Sequence, residues 1–488
     1  MAKSNYASNN VSKLAITIED DVHIVVPNVG SLLTPYVLLE QGDWFEDEIK
    51  FLRTLLECGE RVIDIGANYG TYTLSMSKTV GPDGRVWAFE PASQTAGFLA
   101  ESIRTNGFKN VTLIQSAVSR TRGTATLLLK KQSEANALLN SNSIDEADDR
   151  AMQSEEVQLV SLDDCMADFQ WSDIALVKLD AEGEELDIIK GGRRFFQECS
   201  PLVQYEVNES GSTHFELVDT FAAIGYQSYR LMPGLDILAP WDRETESGEF
   251  VLNLFACKPG RAATLASRGL LVTKEQLTGF VNEEVDRLSA SRSEYRWNVA
   301  LGRFPYGRDL ASVWEGTIAL GDSRDVCKAL AMYAISQCTT ASSPIRLIAL
   351  RRSKHLLIEM CQENSAYQRH SSLARVAWAS GDRLLALNSL SVVIRKIEEA
   401  QKADLREPFL VPDAHYENIA PNGDYANWIL SAAVEAYERA RALSSFYTGR
   451  ESLKRLETII DLGFCSNEMR RRCDLIRDGY GQPSLLAE

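Results

Sequence analysis

Between Arg61 and about Pro259 short apolar runs alternate with amphipathic stretches, and no other feature of the chain constrains its fold as strongly. "RVIDIG" predicts a strand, "TYTLSMSKTV" a helix, "GPDG" a turn and "RVWAFE" the next strand. "SQTAGFLAESIRTNG" follows as a helix stopped by Gly107, and "NVTLIQSAV" as a third strand. After two flanking strands, "TATLLL" and "VQLVSL", the alternation resumes with "DIALVKLD", "EELDIIKGGRRFFQEC" and "PLVQYEVN". Strands this apolar must be covered on both faces, which a parallel sheet between helices achieves. The closing runs "YQSYRLM" and "FVLNLFACKP" have less helix between them and predict an antiparallel hairpin.

Past Pro259 the strand signal stops and apolar residues recur at three-to-four spacing, as in "DVCKALAMYAISQC" and "NWILSAAVEAYERARALSSFY". A chain of 488 residues exceeds one ordinary core. The expected division is an N-terminal extension over 1–34, an α/β domain over 35–260 and an all-α domain over 273–488, with the boundary near 258–272. Within the helical part, "LARVAWASGDRLLALNSL" places Gly381 and Asp382 between two helices and resembles a tetratricopeptide unit. Gly321 and Asp322 echo it, but 60 residues away rather than one period of about 34. An irregular helical domain therefore stays open beside a helical-hairpin array. "REPFLVPDAHYENIAPNGDYANW" is too long for a simple turn, and long ordered connections are often functional.

Composition removes several functions. A net charge of -17 argues against tight nonspecific binding of nucleic acid or anionic membrane, which needs clustered Lys and Arg. No stretch approaches the ~20 apolar residues of a membrane span, and the start has no leader-like apolar segment, so a cytoplasmic protein is expected. The nine Cys form no CxxC pair and have no His at metal-ligand spacing, which predicts buried or half-buried thiols.

The turn after the first strand of the alternation, "VIDIGANYGTYTL", carries the chemistry. Open α/β sheets bind ligands beyond the carboxyl ends of their strands. Gly66 and Gly70 allow close approach to the main chain, and Asn68 between them tolerates unusual dihedrals. Glu90 ends the next strand, where a carboxylate accepts both hydroxyls of an adenosine ribose. A dinucleotide would ask for G-x-G-x-x-G, but here Asn68 replaces the middle glycine. S-adenosylmethionine, with a sulfonium cation instead of phosphates, suits Asp64 and its acidic surroundings and is the expected cofactor.

"VIDIGANYGTYTL", "VWAFEPASQTAGFLAESIRTNGFKNVTLIQSAVS", "VSLDD" and "ALVKLDAEGEELDIIKGG" with "PLVQYEV" resemble, in order and spacing, the FkbM family of S-adenosylmethionine-dependent methyltransferases over about residues 35–257. The resemblance implies a Rossmann-like class I methyltransferase sheet of seven strands, order 3-2-1-4-5-7-6 with one antiparallel strand. It also implies O-methylation of a hydroxyl on a sugar, glycan or other natural-product small molecule. It places Asp64, Gly66, Asn68, Gly70 and Thr71 around the methionine moiety, Glu90 and Ser93 at the ribose, and Ser116 with Ala117 near adenine. Glu46 and Glu48 fit the family's acidic entry helix, though ordinary helix-start acids look the same.

The acceptor side should be built from the ends of "KLDAEG" and "QYEVNES". Asp180 and Glu206 are the candidate catalytic carboxylates, and His214 in the following loop is a further proton acceptor. Asp180, Glu206 and Asn208 could instead hold a Mg²⁺. A metal-free base is the expectation, because no ligand-spacing motif stands out. Glu182 competes as a helix-start acid, and Lys178 either orients a carboxylate or snorkels. The helical domain would recognise the acceptor, a carrier or a protein partner. Methylation of a peptide or protein side chain, or a non-catalytic scaffold, are the alternatives.

Overall fold

The computed structural model describes residues 12–130, 137–138, 151–209, 212–213, 215–243, 251–277, 279–291, 296–319 and 324–479. The chain forms two compact units, Met1–Glu209 with His214–Gly225, and Ser210–Thr213 with Tyr226–Glu488.

The first unit opens with an antiparallel hairpin, β1 (Lys13–Ile18) and β2 (Val22–Pro27), followed by α1 (Leu33–Gln41) and α2 (Asp47–Leu55). The predicted alternation then appears as β3 (Arg61–Ile65), α3 (Thr71–Val80), β4 (Arg85–Phe89), α4 (Ser93–Thr105) and β5 (Val111–Ile114). Short strands β6 (Ala117–Val118), β7 (Gly123–Lys130), β8 (Ala137–Leu138) and β9 (Ala151–Val160) make a separate small sheet, with β7 antiparallel to β8 and β9. After α5 (Leu162–Phe169) come β10 (Leu176–Leu179), α6 (Glu185–Gly191), α7 (Arg193–Glu198), β11 (Leu202–Glu206), the two-residue β12 (Asn208–Glu209) and α8 (Phe215–Ala223).

Strands β5-β4-β3-β10-β11 pair in parallel in that order, which is the 3-2-1-4-5 expected for these five. The four inner strands β4, β3, β10 and β11 bury nearly every residue because helices cover both faces, while β5 at the edge is half-buried throughout. From β3 the chain steps outward through β4 to β5, then returns to β10 on the other side. The crevice between the ends of β3 and β10 is therefore the topological switch point, where such sheets bind ligands.

The second unit holds β13 (Ser212–Thr213), β14 (Gln227–Met232), β15 (Ile237–Pro240) and β16 (Asn253–Cys257), then helices only. β14 pairs antiparallel with β15 and with β16. The helices run α9 (Pro259–Ser267), α10 (Gly279–Ser291), α11 (Trp297–Leu301), α12 (Pro305–Ala319), α13 (Arg324–Ser336), α14 (Ser343–Glu363), α15 (Tyr367–Ala379), α16 (Arg383–Ala400), α17 (Tyr425–Arg441), α18 (Arg450–Asp461) and α19 (Asn467–Gly479).

The division at 225/226 lies ahead of the 258–272 boundary expected from the sequence. Met232, Leu235, Ile237 and Ala239 of the β14–β15 hairpin share one apolar core with Leu330, Leu350, Val376 and other helical residues, so the hairpin packs as part of the helical unit. Burial rather than secondary-structure type sets the unit. Gly381 has φ +69 and Asp382 caps α16 by accepting from the Leu385 N–H, as expected for a turn between helices. The echo at Gly321-Asp322 falls outside the described residues.

The long connection 401–424 is a strap anchored by a buried run, Pro408 to Pro412. Phe409, Leu410 and Val411 are buried among Tyr306, Trp314 and Tyr367. Its main chain borrows partners from helix side chains: Trp314 Nε1 donates to the Leu405 carbonyl (2.9 Å), Ser371 Oγ to the Leu410 carbonyl (2.6 Å), and Leu410 N–H to Ser372 Oγ (2.9 Å). A packed strap needs these bonds because an unpaired buried peptide group is costly. These contacts give the connection a structural role. Among the described residues no helix is long and apolar enough to cross a membrane. All nine cysteines are free; Cys58 is exposed, unlike the buried or half-buried thiols expected.

Candidate active site

The site is built from the first unit. Gly66 has φ +78 and Gly70 φ +93, so both adopt the left-handed region that favours glycine. A Cβ on Gly66 would lie 1.8 Å from the Asp180 carbonyl oxygen, and one on Gly70 would lie 2.4 Å from Leu99 Cδ1. The first bare position thus admits the neighbouring strand end, and the second admits a core leucine. Asn68 between them also has positive φ, +48, as a short polar residue can. Thr71 opens α3 directly behind the turn.

Glu90, just beyond β4 and buried, ties the two loops together. Its Oε2 accepts from the Asn68 N–H and its Oε1 from the Ala92 N–H, each at 2.9 Å. Burial pushes this carboxyl up to about 7, opposed by the two backbone N–H groups. Ser93 is engaged elsewhere: its hydroxyl and its N–H both donate to the Glu155 carboxylate at 2.7 Å. Ser116 donates to the Gln115 carbonyl (2.9 Å) and is buried, while Ala117 begins β6 and pairs with Leu159.

Asp64, Lys178 and Gln204 occupy one register level across β3, β10 and β11, and all three are buried. Paired residues on parallel strands share a face, so the three form a polar row. The row meets the first turn of α3. Thr73 Oγ1 donates to Asp64 Oδ2, Gln204 Nε2 donates to the Tyr72 hydroxyl at 3.3 Å, and the Lys178 ammonium sits 5.0 Å from the centre of the Tyr72 ring. The Tyr72 hydroxyl donates in turn to Glu46 Oε2 at 2.5 Å. Glu46 immediately precedes α2, which Arg53 anchors by donating to both Asp43 oxygens (2.6 and 2.8 Å) and to Ser75 Oγ (2.8 Å).

Lys178 Nζ donates to Asp180 Oδ2 at 2.8 Å, so Lys178 orients a carboxylate. The Lys178 side chain is 7% exposed and that of Asp180 is 37% exposed, which turns the carboxylate outward. The loop after Asp180 is held by Glu185, whose carboxylate accepts from the Ala181 (2.8 Å) and Gly183 (3.1 Å) N–H groups around the left-handed Glu182. Glu206 ends β11; burial first, then the charges of Asp180, Glu182 and Glu46, raise its carboxyl above the usual range. Burial likewise raises Asp64, with Asp180 adding to it and Lys178 and Thr73 opposing. Asp64 Oδ1 and Gln204 Oε1 are buried acceptors without a hydrogen-bond partner in the protein. They are satisfiable by an incoming donor, and an ammonium suits Asp64.

His214 lies outside the described residues. Among the described residues no group of three or more His, Cys, Asp or Glu side chains is placed to hold a metal ion. The sequence reading missed Tyr72, Gln204 and Glu185. Gln204 had a signal: Asp64 in "VIDIG", Lys178 in "ALVKLD" and Gln204 in "PLVQYEV" each interrupt an apolar strand, and Lys178 proves to lie between the other two.

Residues 64–228 match the sequence model of the Methyltransferase FkbM domain, a narrower span than the 35–257 resemblance. The matched segment contains the switch-point turn, Glu90, Asp180 and Glu206. By that match, residues 64–228 are a methyltransferase domain. No curated protein matches the chain. Among solved structures, methyltransferase FkbM from Methylobacillus flagellatus is similar at 17% identity and TM-score 0.27, covering 41% of this chain and 43% of that one. A SAM-dependent methyltransferase from Aquifex aeolicus aligns at 16% identity and TM-score 0.24, covering 45% and 91%. A SAM-dependent O-methyltransferase from Thermotoga maritima aligns at 14% identity and TM-score 0.25, covering 48% and 73%. Likenesses this weak define neither fold nor function. The chain spans less than half the length of the Methylobacillus protein.

Proposed function

We propose that the chain transfers a methyl group from S-adenosylmethionine to a hydroxyl of a sugar, glycan or other natural-product small molecule, without a metal ion. The observation that carries this reading is the seat of Asp180: its main chain presses on Gly66, and its carboxylate turns outward beside the cofactor turn. S-adenosylmethionine, when bound, supplies an electrophilic methyl on a sulfonium cation.

The chain's own residues do the rest. Glu90 accepts the ribose hydroxyls with the lone pairs its two backbone donors leave free. Asp64 offers its unpartnered oxygen to the ammonium of the methionine tail, and the turn from Gly66 to Thr71 lines that tail. Ser116 and Ala117 flank the adenine; Ser93 stays with Glu155. Asp180 takes the acceptor's proton, with Glu206 beside it and His214 as a further proton acceptor. Orientation is the larger contribution, on the order of 7–11 kcal/mol, and proton removal adds a smaller factor of about 10²–10⁴. The helical part, tetratricopeptide-like around Gly381-Asp382, presents the acceptor or its carrier.

Calorimetry with S-adenosylmethionine tests the cofactor assignment, and a labelled-methyl transfer assay against purified neutral glycans and peptides tests the acceptor. Transfer to a glycan but not to peptides supports the proposal; transfer to peptides alone would replace it with side-chain methylation. Absence of cofactor binding would leave only a scaffold.

A further inference from the structure

We infer that Lys178 is a positioning residue of this site: it pins the Asp180 carboxylate at the glycine turn, where that carboxylate faces the cationic end of the methyl donor and favours donor over spent product. The inference rests on the methyltransferase reading above and deepens it.

A lysine in the middle of a strand buried on both faces is expensive, because the ammonium gives up its water. Here it is held by three things at once. Its Nζ is 2.8 Å from Asp180 Oδ2, the Tyr72 ring lies 5.0 Å beneath it, and the register puts Asp64 on one side and Gln204 on the other. Tyr72 is itself fixed by bonds to Glu46 and Gln204. Burial disfavours the ammonium, yet Asp180, Asp64 and Glu46 outweigh it and hold the lysine charged.

Asp180 is clamped from its other side as well. Its N–H donates to the Ile65 carbonyl at 3.2 Å, and its own carbonyl fills the space a Gly66 side chain would need. The main chain is therefore fixed against β3, and the side chain has one anchoring cation. The pair is oriented, with the lysine inside and the carboxylate at the surface. A packed apolar residue would serve the strand equally well, since replacing a buried ion pair by apolar groups is often neutral or stabilising. The outward carboxylate is what the lysine adds.

The carboxyl groups that interact with Asp180 are Asp64 on β3, Glu46 before α2 and Glu206 on β11, with Lys178 set against them. Release of Asp180 from Lys178 would let these like charges push it away from the turn. Loss of a cation acting through space would do the opposite to a cationic ligand, attracting it more strongly. The sign of the change therefore separates the two roles.

The test measures dissociation constants of S-adenosylmethionine and S-adenosylhomocysteine by calorimetry on the full chain, and follows their ratio. Lys178→Met should reduce the preference for the sulfonium form by about tenfold, Lys178→Arg should restore most of it, and Lys178→Met in an Asp180→Asn background should change nothing further. A preference that rises in Lys178→Met, stays as in the wild type, or changes equally with and without Asp180 overturns the inference. If Lys178→Met does not fold, Lys178→Gln gives the same comparison. Wild-type protein that binds neither ligand sinks the methyltransferase reading itself, which is a different outcome from wild-type binding with an indifferent Lys178.

Discussion

Glu90 shows how a single carboxylate can carry structure and ligand at once. It already accepts two backbone N–H groups, so Glu90→Ala removes a clamp between two loops as well as the proposed ribose acceptor. The donor's affinity should fall by the value of charge-assisted bonds, roughly 1.5–3 kcal/mol, and an unchanged dissociation constant would take Glu90 out of the site. Its carboxyl sits at about 7, above the ordinary value of 4.5. Folding thus favours the protonated form: the stabilising contribution is complete below about 4.5 and is lost as pH rises through about 7. Cofactor affinity should run the other way and rise over the same window as the acceptor ionises. Thermal unfolding of wild type and Glu90→Gln across that range checks the first statement, since the variant should show a flatter profile. Gly66→Ala is the sharper packing test: a methyl 1.8 Å from the Asp180 carbonyl oxygen, at φ +78, should cost at least about 2 kcal/mol in denaturant titration.

At the scale of elements, the alternation of strand and helix was plain in the sequence because buried parallel strands are nearly all apolar, and a polar residue inside one stands out. The glycine turn is legible too, though not everything its bare positions admit. Gly66 and Gly70 stand out as bare positions, and that their missing side chains also make room for Asp180 and Leu99 is something no local pattern reveals. The resemblance puts Ser93 at the ribose, and no local pattern shows that Glu155, 62 residues further on, binds its hydroxyl. "REPFLVPDAHYENIAPNGDYANW" reads as an aromatic, Pro-rich connection, and nothing local marks its Phe409-Leu410-Val411 run as buried. Phe409→Ala should cost about 3–5 kcal/mol, as for other fully buried aromatics; a loss within experimental error would show the strap to be dispensable.

For the whole molecule, the placement of the unit boundary has a direct test. Chain 226–488 keeps the β14–β15 hairpin with the helices whose core it shares, and chain 273–488 strips it away, exposing the partners of Met232, Leu235, Ile237 and Ala239. The longer fragment should melt cooperatively at the higher temperature by circular dichroism; equal melting would put the boundary back near 258–272. The abrupt joining of β3 to the end of β10 has a consequence for how such an enzyme could change its diet. Main chain touches main chain there, with no side chain as a spacer, so under the proposed reaction the separation between giver and taker of the methyl is welded into the scaffold. Mutation at the rim can then trade one recipient for another while the stroke length stays the same.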